Sequence, residues 1–223
     1  AKAQRSWDAT PAQQRADCLD RAAQLLEQRR EQFLSLLVRE AGKTLPDAVA
    51  ELREVIDYCR YYAARGRELF GAPQELRGPT GEKNLLSLHG RGVFVCISPW
   101  NFPLAIFAGQ ITAALMAGNG VIAKPALTTP LIAHAMVRVL HEAGIPVHAL
   151  QLVLGDGRIG GVLVEHPATA AVCFTGSLIT AKAIGSTLAK SDRAALPFIA
   201  ETGGINAMIV DSSALPEQVV RDV

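Results

Sequence analysis

Apolar side chains recur along the first ninety residues with the spacing of a single helix face. Leu19, Ala22, Leu26, Phe33 and Leu37 form one series, and Val49, Leu52, Ile56, Cys59 and Ala63 form a second. Positions three and four apart share a helix face, so each series predicts a helix with one buried stripe and a solvated remainder. Boundary signals accompany both. Thr10-Pro11-Ala12-Gln13 offers a capping hydroxyl, a proline for the first turn and a glutamine where a capping box wants one. Gly42 marks a stop, Thr44-Leu45-Pro46-Asp47 a second start, and Gly71 a second stop.

After Arg91 the pattern changes to short β-rich runs alternating with helical stretches. Strands are predicted at Val93–Ser98, Val121–Lys124, Leu150–Leu154, Ala171–Phe174, Phe198–Ala200 and Ala207–Val210. Helices are predicted near Leu104–Ala117, Pro130–Ala143, Ile159–Val164 and Ile179–Ala189. Strands that are apolar throughout, joined by helices, indicate a parallel sheet covered on both faces. The expected class is therefore α/β, a Rossmann-like parallel sheet preceded by long N-terminal helices. The expected division is residues 1–91 as helices and connecting segment, and residues 92–223 as the ligand-binding α/β domain. Charge follows the same division: residues 1–91 hold 15 of the 22 basic and 13 of the 21 acidic residues.

Composition narrows the function. Apolar residues make up 49%, enough for a sizeable core. A net charge of +1 argues against a nucleic-acid partner, because neutralising phosphates needs surplus Lys and Arg. Gly92 to Ala123 carries no charge, yet Pro99, Asn101, Pro103 and Gly118-Asn119-Gly120 interrupt it, so a buried strand and helix are expected rather than a transmembrane segment. Ala1 to Pro11 is polar and charged, unlike a secretory leader. Cys18, Cys59, Cys96 and Cys173 lie far apart with no C-x-x-C, which fits a reducing, cytoplasmic setting.

Parallel sheets bind ligands at the carboxyl ends of their strands, so the residues that follow each strand carry the candidate chemistry. Ser98-Pro99-Trp100-Asn101-Phe102-Pro103 follows the first. Its Asn is either an amide donor for a developing oxyanion or the cap of a rigid turn. Lys124-Pro125 ends the second; this lone charge in an apolar stretch either snorkels to the surface or meets an anionic or hydroxyl-rich ligand. Gly155-Asp156-Gly157-Arg158-Ile159-Gly160 after the third matches the dinucleotide fingerprint letter for letter. The fingerprint belongs after the first strand, however, so this reads as an ordinary glycine-rich loop. Phe174-Thr175-Gly176-Ser177 after the fourth is either an anion site at a helix N-terminus or a simple hydroxyl cap. Glu201-Thr202-Gly203-Gly204 after the fifth places a carboxylate either in partly desolvated surroundings, as a general base, or in a surface turn.

Other signals carry little. His89, His134, His141, His148 and His166 show no ligand spacing, and no metal site is expected. No nucleophile elbow and no Walker sequence is present. Cys96 and Cys173 fall inside predicted strands and read as small buried hydrophobes.

The four motifs around Asn101, Lys124, Ser177 and Glu201, in that order, resemble the aldehyde dehydrogenase superfamily over essentially the whole chain. Arg39 to Thr44, Cys96 to Phe107, Ala200 to Gly204 and Asn206 to Leu215 resemble more narrowly the glutamate-semialdehyde dehydrogenase module of the bifunctional proline utilisation A flavoenzymes. The resemblance implies NAD as cofactor, with FAD only where a proline dehydrogenase domain precedes this segment, a small aldehyde as substrate and a homo-oligomer for the full-length protein. It implies Asn101 as oxyanion donor and Glu201 as the base that activates water. It implies Ile97, Ser98, Pro99, Trp100, Lys124, Gly157, Thr175, Gly176, Ser177 and Gly203 as cofactor contacts. The implied mechanism is attack of a thiolate on the aldehyde, hydride transfer to NAD and hydrolysis of the thioester.

Several positions depart from the pattern. Leu127 stands where the family often has a ribose-gripping Glu, Leu178 replaces a Thr, Ala181 a Gly, and Ile205 a Gln or Met. No cysteine stands in the Gly-Gln-x-Cys setting of the family nucleophile, which implies a chain that stops before the catalytic domain. Two alternatives are an aldehyde dehydrogenase of other specificity and a non-catalytic member with an assembly role. The purified chain is expected to form no NADH from NAD and an aldehyde; robust NADH absorbance would refute that.

Overall fold

Strands that are buried on both sides need helices above and below, and the chain supplies them from two sources. The computed structural model describes residues 2–190, 196–205 and 207–222. Helices α1 (Lys2–Asp8), α2 (Ala12–Gln28), α3 (Arg30–Ala41) and α4 (Leu45–Phe70) come first. A small antiparallel pair follows, β1 (Gln74–Leu76) and β2 (Asn84–Leu86). The α/β part then runs β3 (Val93–Ile97), α5 (Ala105–Met116), β4 (Gly120–Lys124), α6 (Pro130–Glu142), β5 (Leu150–Leu152), α7 (Gly157–Glu165), β6 (Thr169–Thr175), α8 (Leu178–Ala189) and β7 (Phe198–Glu201). A short exposed helix, α9 (Pro216–Asp222), comes last.

The five strands β3 to β7 form one wholly parallel sheet in the order β5-β4-β3-β6-β7. The chain works outward from β3 to β5, then returns to β6 on the other side of β3. This reversal is the switch point at which such sheets bind ligands. Side chains alternate between two cores. Val95, Val172 and Phe174 face α7 and α8, packing with Val164, Ala181, Ile184 and Leu188. Cys96, Cys173, Val121 and Ala123 face α5 and α6, and that core continues without a break into Leu19, Leu26, Phe33 and Val55 of the N-terminal helices. Among the described residues no helix is long and apolar enough to cross a membrane.

α5 explains why the N-terminal helices are there. Its sequence AIFAGQITAALM has no charge, and most of it is buried. A buried helix still leaves N–H groups at one end and carbonyls at the other. Glu51 of α4 fills the first need: its Oε1 accepts from the N–H groups of Leu104 (2.9 Å) and Ala105 (3.0 Å). The other end is met by three donors. Trp7 Nε1 donates to the Leu115 carbonyl at 2.9 Å, Arg15 Nε to Met116 at 3.0 Å, and Gln4 Nε2 to Gly118 at 2.9 Å. A carboxylate at the positive end and a guanidinium at the negative end both suit the helix dipole.

Several elements differ from expectation. The Thr10 capping box does not form: Thr10 Oγ1 donates to the Ser6 carbonyl, and Gln13 reaches Asp17 and Arg67. The first predicted helix is two, α2 and α3, broken at Arg29 (φ −104°, ψ 22°). At Gly42 the chain does turn left-handed (φ 67°), and Thr44 Oγ1 accepts from the Asp47 N–H at 3.3 Å, as its sequence predicts. Gly71 ends α4 in a right-handed conformation (φ −72°). Ala207–Val210 is not a strand; the segment is exposed and pairs with no described neighbour. Asn206, part of the resemblance, lies outside the described residues.

Glu51 also pairs with Lys43 at 2.8 Å and is itself buried. Glu51→Ala should lower folding stability by about 3–5 kcal/mol, because it leaves the ammonium and the α5 N–H groups without their partner. Glu51→Gln, which keeps an acceptor, should lose less. Urea midpoints for the two variants check this.

Candidate functional site

Strand register brings the candidate residues to one edge. Ile97 lies opposite Lys124 on one side and Phe174 on the other, and Thr175 lies opposite Glu201. The segments carrying Asn101, Lys124, Ser177 and Glu201 therefore leave the sheet at its carboxyl edge, around the switch point. Their side chains divide between its faces. Lys124 lies on the α7 face, its stem beside Ile97 Cδ1 and over Gly160. Glu201 lines a groove on the α5 face with Gln110 and Thr175.

Four helices begin at this edge, and each N-terminus attracts negative charge. Three already hold a carboxylate. Glu51 caps α5. Glu40 of α3 caps α6, accepting from Leu131 N–H at 2.7 Å and Ile132 N–H at 2.8 Å. Asp156 caps α7, accepting from Arg158 N–H at 3.0 Å, and it pairs with the Arg158 guanidinium at 2.9 Å. Only α8 starts on a neutral cap: Ser177 Oγ accepts from the Thr180 N–H at 3.2 Å. Gly176, just before it, is required sterically, since a Cβ would stand 2.7 Å from the Phe174 ring. Its N–H donates to the Glu201 carbonyl at 3.1 Å and ties the two strand ends together.

Lys124 is buried, and its Nζ donates to the carbonyl of Pro125 at 3.3 Å. Burial lowers its pKa, and the Asp156 charge only partly restores it. Among the described residues no carboxylate lies within ion-pair distance of it. Gly160 of α7 lies under the stem, where even a Cβ would sit 3.6 Å from Lys124 Cδ, an ordinary packing distance. Nearby Ser98 is also buried, its hydroxyl without a hydrogen-bond partner. A buried ammonium and an orphaned hydroxyl at one strand edge are what a hydroxyl-rich or anionic ligand would satisfy.

The turn after β3 projects outward. Pro99 is half-buried, while Trp100 and Asn101 are exposed. Phe102 anchors the turn, with Lys43 Nζ 3.8 Å above its ring. The buried Glu51 thus reaches the Asn101 segment twice, through the α5 N-terminus and through Lys43. Of the two readings its sequence leaves open for Glu201, the structure shows the exposed one, because β7 lies at the edge of the sheet. Gly157 and Gly203 stand in open space. Of the departures, Leu127 and Leu178 are exposed and Ala181 is buried.

Gln110 of α5 belongs to none of the sequence motifs. Its Nε2 donates to Thr175 Oγ1 at 3.0 Å and to the Ile97 carbonyl at 3.4 Å, bridging the ends of β3 and β6 at the switch point. The one visible signal was an amide in an otherwise apolar helix. Glu40 and Lys43 fall inside the Arg39–Thr44 segment, but their roles, like that of Glu51, lie with partners far along the chain.

The aldehyde dehydrogenase family pattern matches residues 1–223. The bifunctional protein PutA of Rhizobium meliloti is 54% identical over 213 residues, 94% of this chain and 16% of that protein. The 1-pyrroline-5-carboxylate dehydrogenase of Anoxybacillus flavithermus is 43% identical over 222 residues, 97% of this chain and 43% of that protein. A crystal structure of a Bradyrhizobium japonicum proline utilization A (PutA) mutant superposes with a TM-score of 0.96 at 61% identity, covering 99% of this chain and 23% of that one. The chain thus spans less than half the length of each.

A base whose pKa is lowered in the folded state binds fewer protons there than in the unfolded chain. Stability therefore rises with pH until both states are deprotonated, above the ordinary lysine value of 10.5. Lys124→Met should raise the urea midpoint at pH 7. That gain should shrink as pH approaches the ordinary lysine value, as denaturation series at several pH values would show.

Proposed function

This chain belongs to the aldehyde dehydrogenase family, and from that premise we propose that it carries the dinucleotide-binding half of an NAD-dependent dehydrogenase. The substrate we propose for the whole enzyme is L-glutamate γ-semialdehyde, oxidised to glutamate in proline catabolism. The names of the relatives, PutA and 1-pyrroline-5-carboxylate dehydrogenase, support that choice. One observation carries the cofactor reading: a buried Lys124 lacking a carboxylate, on the same strand edge as a helix N-terminus that also lacks one.

The residues present fit a dinucleotide, which combines ribose hydroxyls with an anionic pyrophosphate. In this reading Lys124 and Ser98 serve a ribose, and Ser177 with the N–H groups at the start of α8 serves the pyrophosphate. Ile97, Pro99, Trp100 and Thr175 line the same edge, while Gly157 and Gly203 leave it unobstructed. A ligand laid across a switch point reaches both faces of the sheet, which reconciles Lys124 on one with Glu201 on the other. Bound NAD supplies the hydride acceptor. Asn101 donates its amide N–H to the oxygen on which charge develops. Glu201 takes a proton from the attacking water. The thiol that attacks the aldehyde is assigned outside these residues, because Cys18, Cys59, Cys96 and Cys173 all lack the Gly-Gln-x-Cys setting.

For the full-length protein we propose a cytoplasmic homo-oligomer, with FAD present only where a proline dehydrogenase segment precedes this one. Calorimetry on the purified chain should register heat on titration with NAD, and Lys124→Met should weaken the interaction tenfold or more, a loss of at least roughly 1.4 kcal/mol. Absence of heat at millimolar NAD would remove the cofactor assignment.

A further inference from the structure

Cys96 on β3 and Cys173 on β6 are direct partners in the parallel register. Both side chains enter the core on the α5 face. Neighbouring strands lie roughly 4.8 Å apart, within the Cα separation of about 4.4–6.8 Å that a disulfide spans. The two thiols differ in access: Cys96 is 1% exposed and Cys173 8%. Their mutual hydrogen bond, then burial, hold Cys96 well above the ordinary thiol range, while the same bond draws Cys173 below it. Cys173 also lines the groove of about 570 Å³ that holds Gln110, Thr175 and Glu201. The other two cysteines have neither a thiol partner nor the groove. Burial pushes Cys59 up to about 12, and burial and Asp17 raise Cys18.

We propose that Cys96 and Cys173 are an oxidant-reactive thiol pair, in which Cys173 meets a hydroperoxide entering the groove and Cys96 resolves the product. The Cys173 sulfur attacks one peroxide oxygen and the O–O bond breaks. The departing oxygen takes the proton that Cys173 gave up and leaves as an alcohol, or as water from hydrogen peroxide. Cys173 is then a sulfenic acid. The Cys96 sulfur attacks the Cys173 sulfur, the S–S bond forms, the S–O bond breaks, and hydroxide leaves with the Cys96 proton as water. Two thiols are oxidised and one hydroperoxide is reduced. The product joins β3 to β6 one residue before Ile97 and Phe174, beside the edge that Gln110 bridges. This inference stands apart from the proposed dehydrogenase role.

The test treats the folded chain with equimolar hydrogen peroxide, alkylates remaining thiols under denaturing conditions and maps peptides by mass spectrometry. The expected product has lost about 2 Da, the two thiol hydrogens, and regains them with a reductant. Its non-reduced map shows one peptide linking Cys96 to Cys173, with Cys18 and Cys59 alkylated. Cys96→Ser should stop at a Cys173 sulfenic acid that dimedone traps, and Cys173→Ser should give no cross-link. A cross-link involving Cys18 or Cys59, or oxygen added at Cys18 while Cys96 and Cys173 remain free, would overturn the proposal. The wild-type map alone decides if either variant fails to fold.

Discussion

A helix that is buried and uncharged cannot satisfy its own ends. α5 is such a helix, packed between the sheet and the N-terminal helices, and the rest of the chain is arranged around its two sets of unpaired backbone groups. Glu51 answers the N–H groups; Trp7, Arg15 and Gln4 answer the carbonyls. Each of these side chains comes from a helix that precedes the sheet. The change in composition near residue 91 therefore separates two styles of sequence, while one apolar core runs across it.

The same logic prepares the ligand edge. A parallel sheet with helices on both faces sets several helix N-termini side by side, and each would gather anions. Glu51, Glu40 and Asp156 neutralise three of them internally, which leaves α8 with its serine cap as the start open to an external anion. Lys124 adds the complementary charge on the same face. Its stem lies over Gly160 of α7, and burial makes its charged form costly while it lacks a counter-ion. The fold thus leaves Lys124 buried without an ion-pair partner among the described residues, while it satisfies the starts of α5, α6 and α7 internally.

Much of this was legible from residue order. Apolar runs near Val93, Val121, Leu150, Ala171 and Phe198 gave the five strands of the sheet, because strands buried on both faces carry few polar residues. Gly42 and Thr44 declared a helix boundary because both act within a few residues of themselves. The candidate site was legible to the extent that it follows strand ends. What sequence order hid depends on partners distant along the chain. Helix α1 exists because Trp7 and Gln4 find the carbonyls of α5. Ala207–Val210 has strand composition but no neighbour among the described residues to complete a ladder. Gln110, Glu40 and the facing Cys96 and Cys173 acquire meaning only when the sheet is assembled.

The reversal at β3 has a kinetic side. β3 and β4, β4 and β5, and β6 and β7 each join through a single helix, whereas β3 must find β6 across α5, β4, α6, β5 and α7. Closing the longer loop costs about 1 kcal/mol more in chain entropy, so the central seam is the least local pairing of the sheet and the slowest to be rewarded. The crevice, the Gln110 bridge and the facing thiols all lie on that seam. A nascent chain holds none of them until its two flanking α/β units have docked, and the ligand edge comes into being in the step that completes the sheet.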